Sequence, residues 1–416
     1  MLSGCTLSAT AQQPAVVKSI ADYSRSCVGN TTSTVCRESF AAAIGDAKKY
    51  LGKHGDDTYV IEIPVGTFDF SNEPKGLTHP GDSKSFGSAI DVSDIWPRGA
   101  GRLIIRGAGK DKTTLITNDY LQVIHGTHVS HVTFAGFTMA RPHLSVSQGT
   151  IVDATHAGQV TLDIHPGFPT PAELYVPNIE RRFLRIYTNS KTDPQLVLTP
   201  TNKQIQWGKT AAPQPVKGSP NRWTIYFSEG EMSSPDYVPG ALVCIKAKTT
   251  NAYQAYDFDD APGGGTDIVF DDIRWLGESG GRFKQISNLK VLNSEAPRMP
   301  AIHGQVPCLS GPTGGPQIAG PTHGDLIDHF YSVGNGDDPI AFFNDNGVSG
   351  TPTGSIVRNS DIENSFAREI MLHDSCGVTV ENTKIIGCSP ILDDCPVTDI
   401  PLCANKPAMD MQAAKH

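Results

Sequence analysis

No run in this 416-residue chain is apolar for long enough to form a membrane span, which takes about 20 consecutive residues in a helix. Basic charge is scarce as well: 34 lysines and arginines face 43 aspartates and glutamates, a formal net charge of −9. With no basic stripe to displace phosphate counterions, the composition argues against nucleic acid and anionic membrane surfaces and for a neutral or weakly charged ligand. Hydrophobic residues stop at 38%, while glycine reaches 41 and proline 30. So much punctuation leaves little room for long helices and points to a turn-rich, mostly β protein rather than a helical bundle. The length allows a large core and a prior of two or three domains, although a solenoid absorbs it as one body. Oligomeric state stays open.

Nine cysteines are an odd number, so at least one is free or pairs outside the chain if the rest form disulfides. Cys27 and Cys36 enclose a short polar loop, and Cys388, Cys395 and Cys403 cluster among Pro390, Pro396 and Pro401 as a stapled tail would. Cys244 and Cys376 lie in apolar strand-like runs and read as inert core thiols. This usage favours an oxidising compartment, secreted or periplasmic. Leu2-Ser3-Gly4-Cys5 is similar to the lipobox of bacterial lipoproteins, which would anchor the chain through Cys5. No charged region or apolar stretch precedes it, as in a chain whose signal peptide has been removed. Asn30-Thr31-Thr32 fits a glycosylation sequon, which matters only in a eukaryotic secretory route.

Along the chain, Phe40, Ile44 and Leu51 are spaced to share one face of a short helix ending near Gly52. Short β-rich runs follow, Tyr59 to Pro64, Leu103 to Gly109 and Thr114 to Ile116, separated by Gly, Asp and Lys turns. His131 to Met139 alternates Val132, Phe134 and Phe137 with small residues and has the look of Ile268 to Trp275, which makes the two stretches candidates for neighbouring coils. Between them the texture changes to longer strands such as Phe183 to Tyr187, Trp223 to Phe227 and Ala241 to Ile245, the pattern of an inserted β-sandwich or barrel. The expected organisation is therefore an N-terminal segment and capping helix (1–54), first coils (55–147), the insertion (148–265), later coils carrying the chemistry (266–390) and a C-terminal tail (391–416).

One pattern is written three times between Gly336 and Gly387. Ile356-Val357-Arg358-Asn359-Ser360-Asp361-Ile362 recurs as Thr379-Val380-Glu381-Asn382-Thr383-Lys384-Ile385, a shift of 23 residues, and short strands at that period mean stacked coils. Asn359 and Asn382 share a coil position and should form an internal ladder. Asp337-Asp338-Pro339-Ile340-Ala341-Phe342-Phe343 likewise aligns with Ala367-Arg368-Glu369-Ile370-Met371-Leu372-His373 one coil later, which puts Arg368 beside an acidic pair.

The arrangement resembles the right-handed parallel β-helix enzymes of the pectin lyase-like superfamily. Phe40 to Leu51 followed by Val60 to Phe68 is similar to their entry helix and first coil, and Ile105 to Leu115 to their second; the likeness extends over roughly two thirds of the chain. Gly336-Asp337-Asp338 stands where glycoside hydrolases of this fold keep acidic residues. Polygalacturonases add a Gly-His-Gly and an Arg-x-Lys downstream, and neither follows Asp338, which argues against pectin. The α-1,3-galactosidases of this fold carry an inserted β-barrel between early and late coils and an Asp-Asp-Pro-like turn, similar to 148–265 and to Asp337-Asp338-Pro339. The resemblance implies an all-β, right-handed parallel β-helix with an inserted antiparallel β domain and a short N-terminal capping helix. For function it implies a secreted, inverting glycoside hydrolase acting on a polysaccharide or oligosaccharide. A polysaccharide lyase or epimerase on the same fold, and a non-catalytic carbohydrate-binding solenoid, are the alternatives.

Glycosidic hydrolysis needs one carboxyl group to protonate the leaving oxygen and another to activate water or attack the sugar. Asp337, Asp338 and Asp325 are the candidate catalytic set, since crowded acids push one another's pKa upward and keep a proton available. Consecutive residues of an extended chain point to opposite faces, so the Asp337-Asp338 pair has to sit in a turn. The competing reading is an ordinary Asp-rich turn. Arg368, His323, His329, His373 and Asp374 are candidate substrate-binding residues. For Arg368 a structural ion pair with Asp338 is the competing reading, and for the histidines a satisfied turn residue. Asp257, Asp259, Asp260, Asp271 and Asp272 form an acidic run with oxygen ligands that Ca²⁺ would accept, but the fixed spacing of an EF-hand is missing and a solvated turn is the preferred reading. No metal ligand set and no cofactor is assigned. Trp207, Trp223 and Trp275 read as core aromatics before sugar platforms.

Overall fold

Short strands that alternate inward apolar and outward polar residues cannot bury a face alone; in this chain they do so by stacking, coil on coil, in parallel. The computed structural model describes residues 16–27, 31–32, 34–70, 88–117, 121–141, 144, 146–175, 182–188, 197–198, 205–228, 237–247, 256–259, 265–277, 280–311, 315–344, 350–373, 375, 377–386 and 391–393. They form a parallel β-helix of three faces with an antiparallel insertion and one N-terminal helix. The first face stacks Val16–Ser19, Thr58–Glu62, Arg102–Arg106, Ser130–Ala140, Gly265–Leu276, Lys290–Leu292, Leu326–Asp328, Thr353–Arg358 and Gly377–Glu381. The second runs through Gly66–Asp69, Thr113–Ile116, the far halves of the two long strands, Glu295–Ala296, Tyr331–Val333, Asp361–Glu363 and Lys384–Ile386. The third runs from Ser88–Asp91 through Gln122–Gly126, Tyr256–Asp259, Gly281–Lys284, Pro316–Ala319, Ile340–Phe343 and Ile370–His373 to Ile391–Asp393.

Several sequence expectations are met in register. Ile356 pairs with Thr379 and Val357 with Val380. Ile268 pairs with Val132 and Trp275 with Met139, so the two look-alike stretches are adjacent strands on either side of the insertion. Inside, the alternation stacks Phe258, Phe283, Ile318, Phe342 and Leu372 on the third face against Phe134 and Phe270 from the first, all buried. Phe258 lies 5.5 Å from Phe283 in a stacked pair.

The corner between first and second faces explains the Asn ladder. Registered positions Gly136, Asp272, Asn293, His329, Asn359 and Asn382 all have φ between 45° and 67°, a left-handed turn that Gly, Asn and Asp tolerate best. The Asn382 amide donates to Asn359 Oδ1 at 2.6 Å, and the Asn359 amide donates to Asp328 Oδ1 at 2.9 Å.

The helix Thr34–Leu51 buries Phe40, Ile44 and Leu51 and packs on Ser88–Asp91, covering the first rung of the third face. Among the described residues the first strand of the solenoid precedes it, Val16–Ser19, with only two apolar residues and hence little sequence signal.

The insertion leaves the second face at Ala140 and returns to the third at Tyr256. Its sheet runs Val197–Leu198, Arg182–Thr188, Leu242–Ala247, Val146–Asp153, Gln159–Ile164, Arg222–Tyr226, Gln214–Pro215, with Ile205–Gln206 on Arg182–Thr188. A bridge between Trp207 and Phe227 closes that order into a barrel around Leu162, Leu184, Trp207, Ile225 and Ile245. The β-helix resumes at Tyr256–Asp259, where one inward Phe258 between acidic residues carries the strand.

Among the described residues two disulfides form, Cys27–Cys36 and Cys244–Cys308. Cys244 is therefore not a free core thiol; it ties the barrel to the β-helix. Cys5, Asn30, Cys376, Cys388, Cys395 and Cys403 lie outside the described residues. Among the described residues no helix is long and apolar enough to cross a membrane.

Candidate active site

The acidic pair sits in the turn from Tyr331–Val333 on the second face to Ile340–Phe343 on the third. The turn is set by Asn335, whose Oδ1 accepts the main-chain N–H of Asp337 at 3.1 Å. One coil below, Gly315 lies against the Pro339 carbonyl, where a Cβ would collide, so the backbone packs there only with glycine. One coil above, Ile370 registers with Ile340 and brings Arg368 over Asp338, its Nη1 donating to Asp338 Oδ2 at 3.3 Å.

The barrel leaves the β-helix at this same corner, and three of its strands form the outer wall. On Leu242–Ala247, Val243 and Ile245 point into the barrel, which turns Leu242, Cys244 and Lys246 onto the corner. On Arg182–Thr188 the alternation buries Leu184 and Ile186 in the barrel and presents Arg185 and Tyr187 to Phe366. On Val146–Asp153, Gln148 accepts the Cys308 main-chain N–H at 2.7 Å and donates to the Val306 carbonyl at 3.2 Å. Lys246, only 3% exposed, donates to the Gly336 carbonyl and stands 3.3 Å from Asp337 Oδ2. Arg185 donates to the Phe366 carbonyl.

The two neighbouring acids thus meet different surroundings. Asp338 is 7% exposed and its Oδ1 is buried with no hydrogen-bond partner among the described residues. Burial first, then repulsion from Asp337, push its pKa up to about 7, against the pull of Arg368 and Lys246. Asp337 is 29% exposed with an ammonium at its side. An acid that keeps its proton near neutrality beside a solvent-reachable carboxylate is the arrangement that general acid–base chemistry uses.

The other candidates lie elsewhere. Asp325 occupies the corner between third and first faces, 1% exposed, its oxygens taken by the Leu289 N–H at 3.0 Å and the Thr322 and Ser355 hydroxyls at 2.7 and 3.2 Å. It closes an internal turn, and the structure does not bring it to the acid pair. Burial raises its pKa, partly offset by those three bonds. His323 shares that corner, Nδ1 3.0 Å from Ser287 Oγ. His329 is in the left-handed column at the remaining corner, Nδ1 2.7 Å from Asp328 Oδ1. His373 is exposed at the far end of the third-face strand that starts near Arg368. Asp374 lies outside the described residues. Of the acidic run, Asp271 accepts from Asn293 at 2.8 Å and Asp272 pairs with Lys110 at 3.2 Å. Trp207 and Trp275 are buried in the two cores.

Sequence reasoning missed Lys246, Arg185 and the fully buried Glu369, which follows Arg368. A signal existed for Lys246: it interrupts the otherwise apolar strand Leu242–Ala247 at an outward position.

No family model matches this sequence, and no curated protein does either. Among solved structures, the ORF18 protein of Geobacillus virus E2 is similar at 7% identity and a TM-score of 0.43, over 89% of this chain and 48% of that one. The A-module of a mannuronan C-5 epimerase from Azotobacter vinelandii shows 12% identity and a TM-score of 0.36, over 88% and 76% of the two chains. The catalytic unit of a GH87 α-1,3-glucanase from Streptomyces thermodiastaticus shows 14% identity and a TM-score of 0.38, over 91% and 42%. This chain thus spans about half of the viral protein and less of the glucanase unit. The β-helix itself rests on the strand register described above.

Proposed function

We propose that this protein is a secreted glycoside hydrolase in which Asp338 is the general acid and Asp337 the carboxylate that activates water. The observation that carries the reading is the unequal treatment of two adjacent acids: Asp338 buried and holding its proton to about 7, Asp337 reachable by solvent. Asp338 gives its proton to the glycosidic oxygen as the bond breaks, and Asp337 takes one from the attacking water. Arg368 lies where it steadies Asp338 and can meet a sugar hydroxyl or carboxylate. Inversion follows if water enters between the two groups, the geometry of a single displacement. The two disulfides favour an oxidising compartment.

The test is a screen of α- and β-linked glycans with products read by NMR and ultraviolet absorbance. New reducing ends whose first-formed anomer has inverted configuration support the reading. A product absorbing in the ultraviolet through a new double bond would replace hydrolysis by elimination, and glycan binding without turnover would leave a binding solenoid.

A further inference from the structure

We propose that Lys246, carried by the inserted barrel, is the positioning residue for Asp337, so that the barrel rather than the β-helix alone sets the geometry of the acid pair. The inference builds on the assignment of Asp337 and Asp338 above. Three observations carry it. Lys246 is 3% exposed and bridges two atoms of one turn, donating to the Gly336 carbonyl while standing 3.3 Å from Asp337 Oδ2. A buried ammonium costs several kcal/mol in desolvation, yet this one projects from an apolar strand straight at the acid pair. Its strand is also fastened there: Cys244, two residues away on the same face, is bonded to Cys308, and the rings of Phe183 and Phe366 pack about the ammonium at 5.8 and 5.2 Å.

Among the described residues nothing in the β-helix duplicates this contact. Arg368 approaches the pair from the next coil but pairs with Asp338. Among the described residues, the other charged or titratable groups around this corner are Arg185, Tyr187 and Tyr237 of the barrel, Glu369 of the next coil, and Arg298 of the turn that carries Cys308, which faces Tyr331 and Glu363. Arg185 and Arg298 are committed to the carbonyls of Phe366, Pro307 and Cys308. Lys246 therefore has the separate task of orienting Asp337, and its charge also draws down the pKa of Asp338.

The decisive experiment uses the full chain with ¹³C-carboxyl-labelled aspartate, and the Asp338 signal is identified by its loss in Asp338→Asn. In Lys246→Met the Asp338 titration should move above its wild-type midpoint, while Lys246→Arg should stay near it. On a hydrolysed glycan, Lys246→Met should lower kcat on the order of 10²-fold with KM within about twofold. Measured well below pH 7, where Asp338 keeps its proton in every variant, adding it to Asp337→Asn should cost nothing further, because it acts through that carboxylate. If Lys246→Met does not fold, Lys246→Gln keeps a donor for Gly336, drops the charge and carries the same titration. An unmoved Asp338 titration, or losses that multiply in the double variant, overturns the proposal. If wild type turns over no glycan, the hydrolase reading fails, while the Asp337 carboxyl signal, identified by its loss in Asp337→Asn, still tests the positioning. It should move in Lys246→Met and stay near wild type in Lys246→Arg, and an unmoved signal overturns the proposal.

Discussion

Arg368 Nη1 lies 3.3 Å from Asp338 Oδ2, although the two residues are 30 positions apart. One full coil separates them, and stacking turns that separation into contact. Asp337, Asp338's chain neighbour, is held instead from outside the β-helix by Lys246. Two adjacent acids thus have their nearest cations on two different parts of the molecule.

Replacing either acid should therefore remove turnover without removing the fold. Asp337→Asn and Asp338→Asn are expected to lower kcat/KM by about 10²- to 10⁴-fold, the usual contribution of a positioned acid or base. Circular dichroism should remain that of wild type. Full activity in both variants would overturn the assignment.

Asp338 should also set the alkaline limb of the pH–rate profile. Its proton is the one delivered to the leaving group, so activity should fall as pH rises through about 7. Arg368→Ala removes a cation that lowers this pKa, so the limb should move to higher pH. A rise in KM larger than the fall in kcat would add that the guanidinium holds substrate.

The same group links stability to pH. Its folded-state pKa is raised, so between the ordinary carboxylate range and about 7 the native state binds more protons than the unfolded chain. The stability conferred by protonated Asp338 is full below the unfolded pKa and is lost as pH rises through about 7. The loss is on the order of a few kcal/mol at most. Urea midpoints should fall between pH 4 and 8 in wild type and fall less in Asp338→Asn.

What the sequence displayed were the consequences of repetition. The 23-residue echo of Ile356 in Thr379, the alignment of Arg368 with Asp338, and the kinship of His131–Met139 with Ile268–Trp275 all survive as strand register. What it did not display was which corner of a coil a residue occupies. Asp325 and His329 are close to Asp337 in sequence, but each face of a coil takes only a few residues. They therefore fall at two other corners. Lys246 and the Cys244–Cys308 bond were illegible for another reason: they depend on how the barrel lies against the β-helix, a tertiary relation with no periodicity to read.

Cutting the Cys244–Cys308 bond should loosen that relation. It closes a separation of 64 residues, for which chain entropy gives about 4 kcal/mol as an upper figure. The Cys244→Ser, Cys308→Ser variant should lose stability on that order and lose part of its activity, as Lys246 gains freedom. Activity unchanged in a destabilised variant would mean that packing of Phe183, Tyr187 and Phe366 holds the barrel in place by itself.

Asp325 provides the contrast that separates a buried acid with a structural task from one with a chemical task. Both Asp325 and Asp338 are buried, and burial raises both pKa values. Asp325, however, has both oxygens bonded, to Leu289, Thr322 and Ser355, while one oxygen of Asp338 has no partner among the described residues. Removing the first should strand three donors, at about 1 to 3 kcal/mol for each left unsatisfied, and should leave the acid pair untouched at its own corner. Asp325→Ala is thus expected to shift the denaturation midpoint strongly while the folded fraction keeps wild-type kcat. A large drop in kcat at unchanged stability would return Asp325 to the reacting centre and require the coils to move on substrate binding.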